Sequence, residues 1–184
     1  MNPAFATIDL ENSMFSVRGE LDGGQSTQNF TSTRQFIGLM IGKEEFLLPI
    51  EVTNEIIMLH QLTFVPRAPR FVEGVINLRG TILPAINLRM MMGLPNEAPT
   101  AQCRIIIANC ENVMVGLIVD GISYVVTLYP EQLQVQSLPG KDTGAELIST
   151  ISKRGNQVNG VLDIAKILAE TGIAYQEQEE NEDE

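Results

Sequence analysis

The sequence predicts an all-β fold built from small barrels, with one short helix near the C-terminus. Strand-like apolar runs recur about every 8–12 residues and are separated by turns that contain Gly or Pro, a spacing typical of small barrels. No strand alternates with a long helical pattern, which argues against a parallel α/β sheet. Helical spacing of apolar residues is clear only after Asp163.

The first two strands form a predicted hairpin. Residues 36–41 and 46–50 are strand-like runs on either side of a tight polar turn. Residues 51–59 mix β-branched and polar side chains, so they fit either a strand or a short helical turn. Pro66 and Pro69 then break the chain and favour extended backbone in the residues before them.

The second predicted hairpin lies at the centre of the chain. Residues 71–78 and 81–88 form its strands, and Arg79 and Gly80 occupy the turn. Residues 90–99 follow as a loop or a short helix.

Two dense runs of Ile and Val come next, at residues 104–109 and 113–126. The second run is too long for one straight strand of a small barrel, so it must bend. Gly116 and Gly121 are the positions where a bulge or corner is expected.

The last elements are a hairpin and the helix. Residues 146–152 and 157–162 are the predicted strands of this hairpin. Asp163 is a suitable N-cap, and Gly172 ends the helix. The apolar face of the helix holds Ile164, Ile167 and Leu168.

Charge divides the chain into three parts. Of the net charge of −11, the last nine residues carry six acids and no base, and residues 1–33 are polar and acidic. We therefore expect a disordered leader over residues 1–33, a folded domain over residues 34–172 and a disordered acidic tail over residues 173–184. No basic stripe is dense enough to bind several phosphates, so nucleic acid is not an expected partner.

Composition also bounds the location. No apolar run reaches about 18 residues, so neither a membrane-spanning helix nor direct membrane insertion is expected. The N-terminus lacks the pattern of a secretory signal. Cys103 and Cys110 are too few to staple a secreted fold, which favours a reducing cytoplasm.

Catalytic chemistry is sparse. His60 is the only histidine, and the two cysteines lack a second pair for zinc. No nucleophile with a nearby base is apparent, so we expect no enzyme activity, no metal and no cofactor. A small β-barrel enzyme whose dispersed acids converge in the fold is the alternative.

Basic residues concentrate in the middle of the chain. Residues 67–104 contain five arginines and only two acids. Arginine suits bidentate contacts with carboxylates, so this region is a candidate binding surface. These arginines are equally compatible with a solvated rim at the ends of strands.

Residues 71–89 read FVEGVINLRGTILPAINLR, and this stretch resembles the CheW family, the coupling proteins of bacterial chemotaxis. The resemblance extends over residues 34–170. In this sequence Asn87 stands where the family commonly has Asp before Leu-Arg, which puts a salt bridge there in doubt. The matching segments lie at residues 46–56, 65–80, 115–122 and 160–168.

The resemblance implies two intertwined five-stranded SH3-like barrels and a non-enzymatic adaptor. A groove between the barrels would bind the cytoplasmic tip of a transmembrane chemoreceptor. The end of one barrel would pack against a homologous barrel in the regulatory domain of a CheA-type histidine kinase, and other CheW-like domains in array rings are further implied partners. The protein would be cytoplasmic and recruited to receptor arrays. A coupling protein of a non-flagellar pathway, for pilus motility or second-messenger control, fits the same segments.

The resemblance also implies which residues meet the partners. Candidate receptor-binding residues are Glu55, Gly74, Asn77, Arg79 and Gly80. Each glycine is explained by a tight turn or a close backbone approach alone. A turn does not need an arginine, so we expect Arg79 to point outward and contact a partner. Glu55 fits either a receptor contact or a pair with a nearby arginine.

Candidate kinase-binding residues lie on the long Val-rich run. They are Val115, Leu117, Val119 and Asp120. Alternation along a strand would place one face in the core, and the other face would be either core or an exposed partner surface.

Overall fold

The computed structural model describes residues 33–110, 112–135 and 144–172. Most of the predicted leader and the whole acidic tail lie outside these residues. The described chain contains eleven strands and two short α-helices. In chain order they are β1 (Arg34–Ile41), β2 (Glu44–Pro49), β3 (Thr53–Met58), β4 (Val72–Leu78), β5 (Thr81–Asn87), α1 (Leu88–Met91), β6 (Arg104–Cys110), β7 (Val113–Val119), β8 (Gly121–Leu128), β9 (Leu133–Val135), β10 (Ile148–Arg154), β11 (Gln157–Leu162) and α2 (Ile164–Thr171).

The strands form two sheets, in agreement with the predicted all-β fold. The first sheet has the order β8-β1-β2-β11-β10-β9, and the second has the order β3-β6-β7-β5-β4. The chain leaves the first sheet after β2, builds the whole second sheet and returns to the first with β8. This path intertwines the two halves. The first sheet contains the short strand β9 in addition to the five strands expected for each barrel.

Buried apolar residues of the described chain form three clusters, of which two lie within one sheet each and the largest joins the two sheets. One cluster includes Phe36 and Leu47 of the first sheet, and another includes Ile76 and Ile107 of the second. The largest lies between the sheets and brings Leu39 and Leu48 against Ile106 and Leu117, with the apolar face of α2 packed on it. Burial of this shared apolar surface is the main force that joins the halves.

The dense Ile and Val runs follow from this arrangement. Along β6, Ile105 and Ile107 face the core of the second sheet, whereas Ile106 and Ala108 face the shared cluster. Strands that are buried on both faces carry continuous apolar runs instead of simple alternation. Gly116 lies within β7, where a Cβ would come 2.9 Å from the Ile105 side chain. The long run breaks at Asp120, so the expected corner lies beside Gly121.

Most local predictions are confirmed, with small shifts in boundary. Residues 51–59 contain both predicted structures, because a short 3₁₀ turn at Ile50–Val52 leads into β3. Asp163 caps α2 by accepting hydrogen bonds from the Ala165 and Lys166 amides. Gly172 ends this helix in the left-handed region, with φ of 64°.

Candidate functional site

The turn between β4 and β5 presents an exposed arginine. Arg79 and Gly80 both have positive φ, 50° and 94°, the combination of a type I′ hairpin turn. Asn77 stabilises the turn because its side-chain oxygen accepts a hydrogen bond of 2.8 Å from the Gly80 amide. Arginine is unfavourable in the left-handed region, by about 1 kcal/mol or more. The turn therefore carries a guanidinium that its backbone geometry does not favour.

Arg79 pairs with Glu55. The Arg79 Nη2 atom donates to the Glu55 Oε2 atom at 3.2 Å. The Arg79 side chain is 78% exposed, whereas the Glu55 side chain is 18% exposed. The carboxylate thus lies near the surface and orients an arginine that remains accessible to a partner.

Four of the five candidate receptor residues meet at this point, namely Glu55, Asn77, Arg79 and Gly80. Gly74 lies apart from them. It is buried in β4, and a Cβ there would collide with the Thr63 carbonyl oxygen. Thr63 and Val75 exchange two backbone hydrogen bonds of 2.9 and 2.8 Å. The expected close backbone approach at Gly74 is present, and it allows the loop before β4 to lie against that strand.

The apolar candidates for a kinase surface are in the core. Val115, Leu117 and Val119 are 0, 0 and 2% exposed, and all three belong to the cluster between the two sheets. Their strand face is covered by the other half of the same chain. This corrects the expectation that these side chains reach a partner, because in this fold their apolar surface is already buried.

Asp120 joins the two sheets. Its Oδ2 atom accepts one hydrogen bond of 2.5 Å from the Gly42 amide, in the turn after β1, and another of 2.7 Å from Arg89 Nη1. Gly42 lies in the β1–β2 turn of the first sheet, and Arg89 lies in α1, directly after β5 of the second sheet. The Asp120 amide also donates to the Met40 carbonyl at 3.0 Å. The geometry assigns Asp120 a role in fixing the position of one sheet against the other.

Arg89 is the partner that sequence reasoning did not connect to Asp120. Only 12% of its side chain is exposed, and it also pairs with Glu97 and donates from Nε to the Pro95 carbonyl at 2.9 Å. The hydrogen bond to Asp120 raises the pKa of Arg89, against the opposing effect of burial. Arg89 and Asp120 are 31 residues apart, so no local spacing pointed to the pair.

A cleft lies beside this junction. Two adjoining cavities of about 500 and 560 Å³ share Arg89, Glu97 and Asp120 in their walls. Ile41 of the first sheet and Asn87 of the second both line the cavity of about 500 Å³. The cleft therefore combines polar walls with apolar patches, which suits a binding surface.

Asn87 stands where the family commonly has Asp, and its uncharged side chain makes two hydrogen bonds instead of a salt bridge. Its side-chain oxygen accepts from the Met90 amide at 3.2 Å and caps α1. Its side-chain nitrogen donates to Glu73 Oε1 at 2.5 Å. Asn87 is 6% exposed, so this amide satisfies the Glu73 carboxylate in a partly buried setting.

The described residues include the single histidine of the chain. His60 is exposed, and its Nδ1 atom lies 3.1 Å from the Met58 carbonyl oxygen. Within the described ranges, no group of three or more His, Cys, Asp and Glu side chains could hold a metal ion. No helix in that part of the chain is long and apolar enough to cross a membrane.

The chain folds into a two-sheet β domain with a polar cleft at the junction and an oriented surface arginine. Comparison with known proteins identifies the family of this domain. The family model described as the CheW-like domain matches residues 35–172, and the chain therefore belongs to that family.

Individual relatives show the same likeness. The chain is 28% identical to "Chemotaxis protein CheW" of Helicobacter pylori over 156 residues, which covers 84% of this chain and 93% of that protein. It is 30% identical to "Protein PilI" of Pseudomonas aeruginosa over 101 residues, 53% of this chain and 57% of that protein. The solved scaffolding protein TtCheW from Thermoanaerobacter tengcongensis superimposes with a TM-score of 0.67 at 25% identity, covering 72% of this chain and 90% of that one.

Proposed function

We propose that this chain is a non-enzymatic adaptor that couples transmembrane chemoreceptors to a CheA-type histidine kinase. The observation that carries this proposal is the match of residues 35–172, nearly all of the described fold, to one CheW-like domain. Relatives matched over most of their length are named chemotaxis proteins, and the matched solved structure is titled a scaffolding protein. An adaptor of this kind acts in the cytoplasm at receptor arrays.

The receptor contact is proposed at the β4–β5 turn and in the cleft between the sheets, whose lining residues Val72 and Asn87 lie at the opposite end of the same hairpin. Arg79 is exposed there, and Glu55 orients it. A guanidinium held in this way can form paired hydrogen bonds with a carboxylate or carbonyl on a helical receptor tip. Asn77 and Gly80 set the turn that presents it.

The kinase contact is proposed on the outer surface of a barrel. A homologous barrel in the regulatory domain of the kinase would pack there. Because Val115, Leu117 and Val119 are buried, other exposed apolar residues must supply the contact. Val125, Val135 and Val158, all in the first sheet, are 58, 87 and 59% exposed. The second sheet exposes Ile82 and Met58 at 69 and 55%, so among the described strands the first sheet offers more exposed apolar side chains.

Binding titrations test the proposal. The full chain is titrated against the isolated regulatory domain of the kinase and, separately, against a receptor cytoplasmic fragment. We expect a complex in each case that survives a metal chelator and needs no nucleotide. Arg79→Asn should weaken the receptor complex, and Lys153→Ala, an exposed cation on the first sheet, serves as the control. An adaptor must bind both proteins, so failure to bind either one would contradict this function.

A second candidate is a coupling protein for pilus motility or second-messenger control. The 30% identity to PilI over 101 residues favours it specifically. Titration against regulatory domains from a flagellar and a pilus pathway of the same organism distinguishes the two. The cognate kinase should bind at least tenfold more tightly, a difference of about 1.4 kcal/mol.

A further inference from the structure

The loop between β3 and β4, residues 59–71, forms a basic and aromatic surface that the proposed function does not use. Phe64 is 76% exposed, although it is a large apolar side chain. Arg67 and Arg70 are also exposed. Among the residues that the structure describes, neither guanidinium makes an ion pair or a hydrogen bond. We call this surface the Phe64 loop.

The Phe64 loop is held in place by its own backbone. Thr63 is bonded to Val75 in both directions, and the Val72 amide donates to the Pro69 carbonyl at 2.9 Å. Arg67 has φ of 63°, a conformation that favours Gly or Asn. Strained residues of this kind cluster at binding sites and persist where the surrounding structure holds them. The loop therefore presents its cations in a defined geometry.

Nearby acids are already engaged. Glu73, the acid closest in sequence, accepts the hydrogen bond from Asn87. Glu97 is paired with Arg89. Phe64 and Arg70 also line the cleft of about 500 Å³ at the junction of the sheets. The open positive charge of the loop thus faces a cleft whose acids have partners.

We propose that the acidic C-terminal tail of this same chain, residues 173–184, docks on the Phe64 loop. The tail begins with the apolar residues Ile173 and Tyr175 and continues with six acids and no base. An apolar and acidic segment is complementary to an exposed phenylalanine flanked by two unpaired arginines.

The tail is long enough for this contact. Twelve residues extend up to about 40 Å at roughly 3.4 Å per residue. A domain of about 130 residues has a radius of gyration of about 14 Å, so an extended tail of this length can reach most of the domain surface from Gly172. Tethering also gives the segment a millimolar effective concentration, so a weak contact is populated.

The docking does not rest on the proposed function. The experiment below contains neither receptor nor kinase, so its failure is distinguishable from failure of the adaptor function.

Backbone amide NMR of the full chain tests the docking. The native chain is compared with a tail-neutral variant of the same length. Its substitutions are Glu177→Gln, Glu179→Gln, Glu180→Gln, Glu182→Gln, Asp183→Asn and Glu184→Gln. We expect chemical-shift differences at residues 62–72 and along the tail itself, with the rest of the domain unchanged. In about 0.5 M salt the Debye length is roughly 4 Å, so charge attraction is screened. The resonances of residues 62–72 in the native chain should then move toward their positions in the tail-neutral variant.

Removing the cations provides the reciprocal measurement. The double variant Arg67→Gly with Arg70→Gln should release the tail, so that its tail resonances match those of the native chain in about 0.5 M salt. Arg67→Gly also relieves the strained φ, so the melting temperature should not fall. The matched control Lys43→Gln with Lys153→Gln removes the same charge from the first sheet and should leave the tail resonances unchanged.

Three outcomes overturn the proposal. The first is the absence of any difference at residues 62–72. The second is an equal effect of the lysine control, which would indicate nonspecific attraction. The third is a shift pattern that grows with protein concentration, because the tail would then bind a second copy.

Discussion

Arg79 donates a hydrogen bond of 3.2 Å to Glu55, although the two residues belong to opposite edges of the five-stranded sheet. Glu55 lies in β3, and Arg79 follows β4. For the pair to form, the sheet must curl until its outer strands approach each other, as a small barrel requires. The contact therefore reports barrel closure and also orients the most exposed cation of the candidate receptor site.

Arg79→Asn should leave the fold intact and weaken partner binding. The exposed ion pair contributes at most about 1 kcal/mol, and Asn is well suited to positive φ, so the free energy of unfolding should be unchanged or slightly higher. Loss of a guanidinium contact should weaken receptor binding by about 2 kcal/mol, roughly thirtyfold. Urea unfolding and a receptor-fragment titration on the same variant measure both quantities. Unchanged binding would remove Arg79 from the site.

Asp120→Ala should destabilise the junction of the sheets. The change leaves the Gly42 amide and the largely buried Arg89 guanidinium without their shared acceptor. We expect a loss of about 2–4 kcal/mol in the free energy of unfolding, and a smaller loss for Asp120→Asn, which keeps one acceptor oxygen. Equilibrium urea unfolding measures the difference.

The same two variants separate the structural role of Asp120 from a contact with the kinase. If Asp120 only joins the sheets, the affinity of Asp120→Asn for the kinase regulatory domain should be close to native under conditions where the variant is folded. A large loss of affinity with an intact fold would instead place the carboxylate in the kinase contact. A change of less than about 0.5 kcal/mol in stability for Asp120→Ala would contradict the structural role.

Asn87→Asp should be unfavourable at neutral pH in this chain. It preserves the cap of α1 but places a second carboxylate within hydrogen-bond distance of Glu73. The mutual repulsion raises the folded-state pKa of one acid, so stability is retained below about pH 4 and lost as the pH rises through that higher pKa. We expect a deficit of about 2 kcal/mol at pH 7 that shrinks toward pH 4, measured by urea unfolding.

A compensating change provides the control. In the Asn87→Asp background, Glu73→Gln places the amide donor at position 73 and the carboxylate acceptor at position 87. This reversed hydrogen bond should recover most of the stability. Receptor-stimulated kinase activity should stay intact in this double variant if position 87 is only structural. A deficit that is the same at pH 4 and pH 7 would contradict the electrostatic explanation.

Tyr124 should make the protein sensitive to alkaline pH. Burial raises the pKa of its phenol above 10, and the hydrogen bond of 2.9 Å to Glu45 adds to the shift. A raised folded-state pKa means that its contribution to stability is complete below about pH 10 and is lost as the pH rises further. Tyr124→Phe should lose less stability than the native chain as the pH rises above about 10, measured by urea unfolding. Equal losses would assign the effect to other groups.

Local features of this fold could be predicted from the sequence because their determinants are adjacent residues. The hairpin at Arg79 and Gly80 and the ends of α2 at Asp163 and Gly172 are of this kind. The two-sheet division was implied by the family resemblance, and both the sheet order and the TtCheW superposition confirm it.

Long-range relationships could not be predicted in the same way. The burial of Val115, Leu117 and Val119 depends on the first sheet covering the second, which no local pattern in β7 reveals. The Asp120–Arg89 pair likewise depends on β5 lying beside β7 in parallel, so that α1 starts near the end of β7. An alternating apolar strand alone cannot distinguish an internal partner from an external one.

Reconstitution of kinase control tests the adaptor function most directly. Receptor-bearing membranes and a CheA-type kinase are mixed with and without the full chain, and phosphotransfer by the kinase is measured. We expect receptors to stimulate and control the kinase only when this chain is present, and we expect Arg79→Asn, although folded, to fail to support stimulation. Equal kinase activity with and without the chain, at concentrations where it is folded, would contradict the adaptor function.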